Sequence, residues 1–225
     1  SLLPMTELPW LILPTYNEAE NIEAIVTASA QTLASCSPNG FRILIVDDDS
    51  PDGTGRIGDR LASEHSEVEV LHRTSREGLG PAYLAGFEHA LSSAAGFVLE
   101  MDSDFSHDPA DLSRLLSEVR DGGADLALGS RYVPGGGIEN WSASRRAISR
   151  GGSLYARLIL SLPVNDLTGG FKCFRAEVLR AIDLPSVTAR GYAFQIELTY
   201  RAIERGFKVV EVPIVFRDRV AGKSK

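Results

Sequence analysis

The sequence lacks the basic surplus that most nucleic-acid-binding proteins carry. Its 225 residues include 23 Lys and Arg against 30 Asp and Glu, which gives a net charge of -7 at neutral pH. A nucleic-acid-binding surface needs clustered cations, so this balance predicts no nucleic acid among the partners. Hydrophobic residues make up 44% of the chain and charged residues 24%, which is typical of a soluble globular protein with a sizeable core.

Cysteine is also scarce, with Cys36 and Cys173 as the two in the chain. They are far apart in the sequence and fit neither a metal-binding nor a redox spacing. We interpret them as free thiols of a protein in a reducing compartment, with a single disulfide as the alternative.

Long apolar runs are missing as well. A membrane-spanning helix needs about 20 predominantly apolar residues, and the longest candidate, LYARLILSL, is interrupted by Arg157. The start, SLLPMTELPW, has neither the basic part nor the long apolar part of a signal peptide. These absences predict a cytoplasmic protein, and the final RDRVAGKSK leaves open a natural continuation beyond Lys225.

Familiar catalytic signatures are absent too, including G-x-S-x-G, H-E-x-x-H and the phosphate-binding P-loop. Two stretches, which begin at Asp48 and Asp102, partly resemble EF-hand calcium loops. The first has Pro51 inside the loop and Asp59 at the last position, and the second has His107 where the loop requires glycine. Neither stretch therefore fits an EF-hand.

The first 130 residues instead alternate regularly between short apolar runs and helical patterns. The apolar runs, at 10–13, 41–46, 68–72, 97–101 and 124–129, predict five strands. Strands this apolar are buried on both faces, so the alternation predicts an α/β protein with a mainly parallel sheet flanked by helices. Asn17 is predicted to cap the first helix, with Glu20 as its capping-box partner.

After Arg131 the alternation breaks at a Gly-rich stretch, YVPGGGIENW. A basic helical stretch with Arg145, Arg146, Arg150 and Arg157 follows it. A short strand, a helix at about 192–205 and a last strand at 208–216 complete the chain. We predict a single domain, 1–225, with two lobes that meet at about residue 130.

Acidic residues follow three of the predicted strands, in the segments PTYNE, VDDDSPDGT and MDSD. In open parallel sheets, ligands bind beyond the carboxyl ends of the strands. Three acidic ends at one edge bring like charges together, which lowers stability unless a cation offsets them. This distribution therefore indicates a cation-dependent binding site at that edge.

Asp102 and Asp104 are the strongest candidates within these segments. They alternate with Ser103 at the end of a strand, so an extended backbone directs both carboxylates to the same side. Such a pair can bind a hard divalent ion and leave coordination positions for phosphate oxygens, although plain loop carboxylates are the alternative. Asp108, by contrast, precedes Pro109 and is predicted to be a helix N-cap.

Eight segments occur in an order that resembles the polyprenol-phosphate (dolichol-phosphate) mannosyltransferases of glycosyltransferase family 2. They are PTYNEAENI, VDDDSPDGTG, GLGPAYLAGF, EMDSDFSHDP, GSRYVPGGGIENW, TGGFKCFR, GYAFQIEL and DRVAGKSK. The resemblance runs from Leu11 to Lys225 and implies a GT-A fold. It also implies an inverting, metal-dependent transfer of mannose from GDP-mannose to a polyprenyl phosphate. UDP-glucose or another sugar nucleotide on the same scaffold, and a non-catalytic nucleotide- or metal-binding module, are the alternatives.

The resemblance implies roles for individual residues. The donor would be held by Pro14, Tyr16, Glu18, Val46, Asp48, Asp102, Ser103, Asp104, Arg131, Arg219 and Lys225. Asp102 and Asp104 would bind Mg²⁺ or Mn²⁺, and Asp104 and Arg131 would be catalytic. The acceptor phosphate would be bound by Arg131, Arg145 and Ser149. The first lobe would bind the nucleotide sugar, and the second would bind the acceptor and end in a basic tail.

A phosphate acceptor also changes what the site needs. The second pKa of a phosphomonoester is about 6, so this nucleophile is largely dianionic at neutral pH and needs no general base. Glu197 is the fallback candidate for a base, with a structural role as the alternative. The lipid part of the acceptor implies a peripheral position at the cytoplasmic face of a membrane.

Overall fold

A computed structural model describes residues 8–139, 143–160 and 162–217, and it includes the side chains of these residues except those of 143–148, 156 and 158. The strands are β1 (Pro9–Thr15), β2 (Arg42–Asp47), β3 (Val68–His72), β4 (Phe97–Glu100), β5 (Leu126–Ser130), β6 (Gly137–Ile138), β7 (Lys172–Arg175), β8 (Val209–Pro213) and β9 (Val215–Phe216). The α-helices are α1 (Ile22–Cys36), α2 (Thr54–Glu64), α3 (Leu79–Ser92), α4 (Leu112–Arg120), α5 (Ala143–Leu160), α6 (Ala176–Ala181) and α7 (Tyr192–Glu204).

Within the described residues, seven strands form one sheet in the order β3-β2-β1-β4-β7-β5-β8, and β6 pairs with β9. β7 runs antiparallel to its neighbours β4 and β5, whereas the other pairs of the large sheet are parallel. The predicted α/β class with a mainly parallel sheet is confirmed. The sheet combines strands from both halves of the chain.

Both faces of the large sheet are buried, as the apolar strands predict. Ile12 and Val46 face one side and pack in a cluster with Phe87 of α3. Leu11 and Leu13 alternate with Ile12 along β1 and belong to a second cluster, which also contains residues of α1 and α4. Cores on both faces explain why these strands read as continuous apolar runs rather than as alternating patterns.

The neighbouring positions of β2, β1 and β4 bring the three acidic segments together. These strands are parallel, so their carboxyl ends lie side by side at one edge of the sheet. α3 covers this region closely: a Cβ on Gly86 would lie 2.4 Å from a methyl carbon of Ile12. Glycine at this position therefore permits the close packing of α3 on β1.

The start of α1 differs from the prediction. The helix begins at Ile22, and Asn17 has a positive φ of 55°, so the predicted cap by Asn17 and Glu20 is wrong. The reason is tertiary: the backbone N–H of Asn17 donates to Ser50 Oγ at 3.0 Å, and that of Glu18 donates to Thr54 Oγ1 at 2.9 Å. The segment is thus held against the loop after β2 before the helix starts.

The prediction for Asp108 is confirmed. Its carboxylate accepts a hydrogen bond from the backbone N–H of Ala110 at 3.0 Å and caps a short 3₁₀ turn, Pro109–Asp111, that leads into α4. Cys36 and Cys173 are free thiols, as predicted. None of the helices in the described ranges combines the length and apolarity that a membrane crossing requires.

Candidate functional site

A cleft of about 390 Å³ opens where β1, β2 and β4 end. This volume is in the range of small-molecule sites, roughly 300–1,000 Å³. Its lining consists of Pro14, Thr15, Tyr16, Glu18, Asp48, Arg76, Gly78, Leu79, Ala82, Asp102, Ser103, Asp104 and Gly191. Most of the predicted donor-binding residues that the structure describes therefore lie together at one cleft.

The segment after β4 is fixed by contacts to other parts of the chain. The hydroxyl of Tyr83, on α3, donates to Asp102 Oδ1 at 3.1 Å. Ser103 Oγ donates to the carbonyl oxygen of Pro14 at 2.9 Å and so connects this segment to the end of β1. These contacts hold the backbone around both carboxylates in one position.

Asp104 is buried and oriented by its own loop. Its Oδ1 accepts from the backbone N–H of Ser106 at 3.0 Å and from Ser106 Oγ at 2.5 Å. Asp102 and Asp104 both line the cleft, and so does Ser103 between them. Paired carboxylates are ligands that suit Mg²⁺ and Mn²⁺.

A third acidic, histidine or cysteine ligand does not accompany the two aspartates within the part of the chain that the structure describes. Among the described residues, no three His, Cys, Asp or Glu side chains cluster as a metal site. Mg²⁺ is commonly bound by one or two carboxylates together with phosphate oxygens and water. The two aspartates therefore fit an ion that is shared with a phosphorylated ligand.

Burial shapes the protonation states beside this pair. Burial, together with the charge of Asp102, raises the pKa of Tyr83 well above its usual value, so the phenol stays protonated and donates to Asp102. Burial lowers the pKa of His107 to about 4, although Asp104 opposes this shift. His107 packs between Phe171 and Phe216, with ring centroids 5.0 and 5.1 Å away. The imidazole is thus neutral at physiological pH and does not offset the charge of Asp104.

The end of the cleft near β2 is built around Asp48. One carboxylate oxygen accepts from the guanidinium of Arg73, and the other accepts from the backbone N–H groups of residues 77 and 78, each at 3.1 Å. These bonds fix the loop before α3. The same loop carries Arg76, whose guanidinium carbon lies 4.0 Å from the ring centre of Tyr16. Arg76 thus brings a positive charge to the cleft lining, next to the ring of Tyr16.

Two predicted residues lie away from the cleft lining. Val46 is fully buried in the core. Arg131 is 7% exposed and donates to both oxygens of Asp166 at 2.7 Å, and also to Thr168 Oγ1 at 2.8 Å. Their contacts with donor or acceptor stay predictions.

The predicted acceptor and tail residues are described only in part. Ser149 Oγ accepts from the hydroxyl of Tyr132 at 2.8 Å. The backbone of Arg145 belongs to α5, but its side chain lies outside the described residues, as do Arg219 and Lys225 entirely.

The chain immediately before Arg219 nevertheless runs past the site. The backbone N–H of Arg217 donates to the carbonyl oxygen of Ser106 at 3.0 Å. Ser106 is the residue that orients Asp104. The described part of the chain therefore ends against the loop that carries the acidic pair.

Sequence reasoning missed a buried cluster behind this edge. Lys172 Nζ donates to Glu100 Oε1 at 2.9 Å, to the carbonyl oxygen of Gly169 at 2.8 Å and to Gln195 Oε1. A charged residue in each of two otherwise apolar strand patterns, FVLE and KCF, was a signal that could have predicted the Lys172–Glu100 pair. Arg76 and Asp166 have no comparable signal, because both lie in loops.

Glu197 has structural partners. Its Oε1 accepts from Arg201, and its Oε2 accepts from the backbone N–H of Ala189 at 3.2 Å. These bonds connect α7 to the segment before it. They agree with the structural alternative for this residue rather than with a general base.

Comparison with known sequences gives a consistent result. Residues 10–183 match the family model described as glycosyl transferase family 2. The chain is 50% identical over 221 residues to a polyprenol monophosphomannose synthase of Mycolicibacterium smegmatis, covering 98% of this chain and 81% of that protein. It is 46% identical over 214 residues to an undecaprenyl-phosphate mannosyltransferase of Micrococcus luteus, covering 95% and 85% respectively.

Solved structures share the fold at lower identity. A glucosyl-3-phosphoglycerate synthase from Mycobacterium tuberculosis, in complex with Mn²⁺, UDP and glucosyl-3-phosphoglycerate, has a TM-score of 0.67 at 20% identity, covering 97% of this chain and 74% of that one. A mannosyltransferase from Pyrobaculum calidifontis, in complex with GDP-Man and Mn²⁺, has a TM-score of 0.64 at 19% identity, covering 96% and 57%. At these identities the likeness concerns the fold.

Proposed function

We propose that this chain transfers mannose from GDP-mannose to a polyprenyl phosphate. The chain belongs to glycosyl transferase family 2 and is a glycosyltransferase with the GT-A fold. The observation that carries this proposal is the 50% identity, over 98% of the chain, to a polyprenol monophosphomannose synthase. The predicted family is confirmed, and the donor and acceptor are proposed on its basis.

The cleft supports an extended pose for the donor. Strand order places β2, β1, β4 and β7 successively along the edge of the sheet. We place the nucleoside near Tyr16 and Asp48, at the ends of β1 and β2, and the diphosphate at Asp102 and Asp104, after β4. The sugar then lies beyond β4, toward β7 and the start of α7.

Asp102 and Asp104 would hold Mg²⁺ or Mn²⁺, and a bound ion would supply neutralisation of the charge that develops on the departing diphosphate. The protein's own part is to keep both carboxylates in place. Tyr83 and Ser106 do this by donating hydrogen bonds to Asp102 and Asp104. Arg76 lies at the cleft, and Arg219 and Lys225, which lie outside the described residues, are predicted to bind the donor as well.

The acceptor phosphate is the nucleophile in the proposed reaction. One of its oxygens forms a bond to the anomeric carbon of mannose while the bond from that carbon to the GDP oxygen breaks, with inversion. No proton has to be removed from a dianionic phosphate, so the site needs no general base. The bonding of Glu197 to Arg201 and Ala189 agrees with that expectation.

The second lobe has a face that suits a lipid-bound acceptor. Leu154, Tyr155 and Ile159 of α5 are 52%, 70% and 65% exposed, although they are large and hydrophobic. Arg150 and Arg157, both exposed, belong to the same helix. Apolar side chains flanked by arginines favour the surface of an anionic membrane. We propose that this face, the α5 apolar face, rests on the membrane, with the cytoplasmic leaflet as the predicted side.

Replacing Tyr155 and Ile159 together by Ser is expected to weaken binding to anionic phosphatidylglycerol vesicles by about tenfold or more, because fully burying one such side chain is worth about 1.5–3 kcal/mol. Co-sedimentation with vesicles measures the change. Mannose transfer to a short acceptor dissolved in detergent serves as the control and is expected to be unchanged. Equal vesicle binding by both proteins would exclude this face as the membrane contact.

A thermal-shift panel tests the donor. GDP with Mn²⁺ at 100 times its Kd is expected to stabilise the protein by about 2.7 kcal/mol, which for a domain of this size corresponds to a shift of very roughly 5–10 °C. UDP at the same concentration is expected to give a clearly smaller shift. Stabilisation by UDP and not by GDP would overturn the proposed donor, and so would stabilisation by neither nucleotide.

A further inference from the structure

The buried cluster behind the cleft contains an ammonium group that donates three hydrogen bonds. Lys172 is 1% exposed, and its three N–H groups donate to Glu100, Gly169 and Gln195. A Lys side chain has three donors and no acceptor. Lys172 therefore has no donor left for a ligand, and its effect on the site passes through the groups that it holds.

The side-chain amide of Gln195 is oriented by this lysine. Because Lys172 can only donate, the oxygen of the amide must face it, and Nε2 must point away. Gln195 is 2% exposed, and neither its Nε2 nor Glu100 Oε2 has a partner within ordinary hydrogen-bond geometry among the described residues. Burial raises the pKa of Glu100, and N–H donors of Lys172 and Gln195 that approach its carboxyl group oppose that rise. One amide proton of Gln195 is therefore directed at Glu100. The second amide proton still needs an acceptor.

Gln195 Nε2 lies near the cleft, next to Gly170. A Cβ placed on Gly170 would lie 3.3 Å from Gln195 Nε2 and 3.8 Å from Asp102 Oδ1. The same point in space is thus close to both the amide nitrogen and a carboxylate that lines the cleft. Gly170 is half-buried, and Gly191, the N-cap residue of the helix that carries Gln195, also lines the cleft. The absence of a side chain at Gly170 leaves the gap between them open.

We propose that Gln195 Nε2 donates a hydrogen bond to a hydroxyl group of the donor sugar, which reaches it through the gap over Gly170. This inference rests on the proposed function, since it takes the ligand to be a sugar nucleotide. The extended pose along the edge of the sheet puts the sugar beyond Asp102, on the side of β7 and α7. Gln195 then recognises the sugar and makes no contact with the nucleotide.

The chemistry of the amide N–H favours a hydroxyl over a phosphate as its hydrogen-bond acceptor. A phosphate oxygen is best held by charged donors such as Arg, whereas a neutral amide matches a neutral hydroxyl. A buried N–H group also discriminates strongly between ligands, because a ligand without a matching acceptor leaves it unpaired. An amide fixed by Lys172 is therefore suited to select the sugar.

The test compares a nucleotide with its own sugar nucleotide. Calorimetric titration in the presence of Mn²⁺ gives Kd values of GDP and GDP-mannose for the wild type, Gln195→Met and Gly170→Ala. Loss of one neutral hydrogen bond is expected to raise the Kd of GDP-mannose about three- to tenfold in both variants and to leave the Kd of GDP unchanged. Gly170→Ala leaves the Lys172 contacts intact, so it keeps the test valid if Gln195→Met fails to fold.

Gly137→Ala is the matched control, because a Cβ there meets nothing within 4 Å. It is expected to bind both ligands as the wild type does. Equal weakening of GDP and GDP-mannose by Gln195→Met and Gly170→Ala would show a merely structural effect and overturn the inference, and so would unchanged binding of both ligands.

GDP-mannose analogues that lack one hydroxyl identify the group that Nε2 binds. They also distinguish a sugar hydroxyl from a bound water as its partner. One GDP-deoxymannose is expected to lose affinity for the wild type but not for Gln195→Met, because the partner is already gone. Penalties that are the same in both proteins for every deoxy position would overturn the inference and favour a bound water as the partner of Nε2. If the wild type binds UDP and UDP-sugars instead, the proposed donor fails, and the same comparison with UDP ligands still tests Gln195.

Discussion

Asp104→Asn is expected to reduce kcat/KM for mannose transfer by on the order of 10³-fold, the scale on which loss of one charge-stabilising group acts in other enzymes. The substitution removes the charge of one proposed metal ligand and keeps its shape. It also keeps an oxygen that can accept from Ser106, so the loop is expected to stay folded. The Mn²⁺-dependent part of the thermal shift with GDP is expected to disappear.

Stability without metal gives a second readout of the same substitution. Asp102 and Asp104 repel each other when no cation lies between them, so removing one charge is expected to leave the melting temperature unchanged or raise it. Asp108→Asn is the matched control from the same segment. Asn is as good an N-cap as Asp, so activity and stability are both expected to be retained. Full transfer activity in Asp104→Asn would refute the metal-binding role.

Lys172→Met is expected to lower the free energy of unfolding by about 3–5 kcal/mol, because it leaves Glu100 as a buried charge without its partner. Glu100 and Lys172 are 0% and 1% exposed, so water cannot replace the lost ammonium group. Urea denaturation followed by circular dichroism measures the change. The deficit is expected to be pH-dependent, since the pKa of Glu100 is raised already in the wild type by burial.

The sign of that dependence follows from the direction of the shift. A carboxyl group whose folded pKa lies above its unfolded value of about 4.5 is tolerated when protonated and destabilises the fold when ionised. The deficit of Lys172→Met is therefore largest at neutral pH and shrinks as the pH falls toward the unfolded pKa. The double variant Glu100→Gln/Lys172→Met is expected to recover most of the stability, because both charges are removed. A double variant as unstable as the single one would show that the ion pair is not the cause.

Local sequence patterns predicted the features that depend on nearby residues. The strand at 68–72 has the predicted bounds, and it lies at the edge of the sheet with Val68 buried and the other four residues partly or fully exposed. Asp108 caps a helical turn as its position before Pro109 predicts. Asp102 and Asp104 share a cleft, because their spacing keeps them within one short segment. Asn17 failed as a cap, because contacts to Ser50 and Thr54, far along the chain, override the local preference.

The sequence by itself determined the α/β class and the acidic pair, since these rest on periodicity and on residues that are neighbours in the chain. It also indicated the family, through the resemblance of eight ordered segments. The tertiary structure decided which groups act on that pair. Tyr83 reaches Asp102 from another helix, and Lys172 orients Gln195 across 23 positions of the chain. The order of strands in the sheet brings such segments together, and no local pattern encodes that order. The physical reason is that a hydrogen bond depends on distance and direction in space, which separation along the chain does not specify.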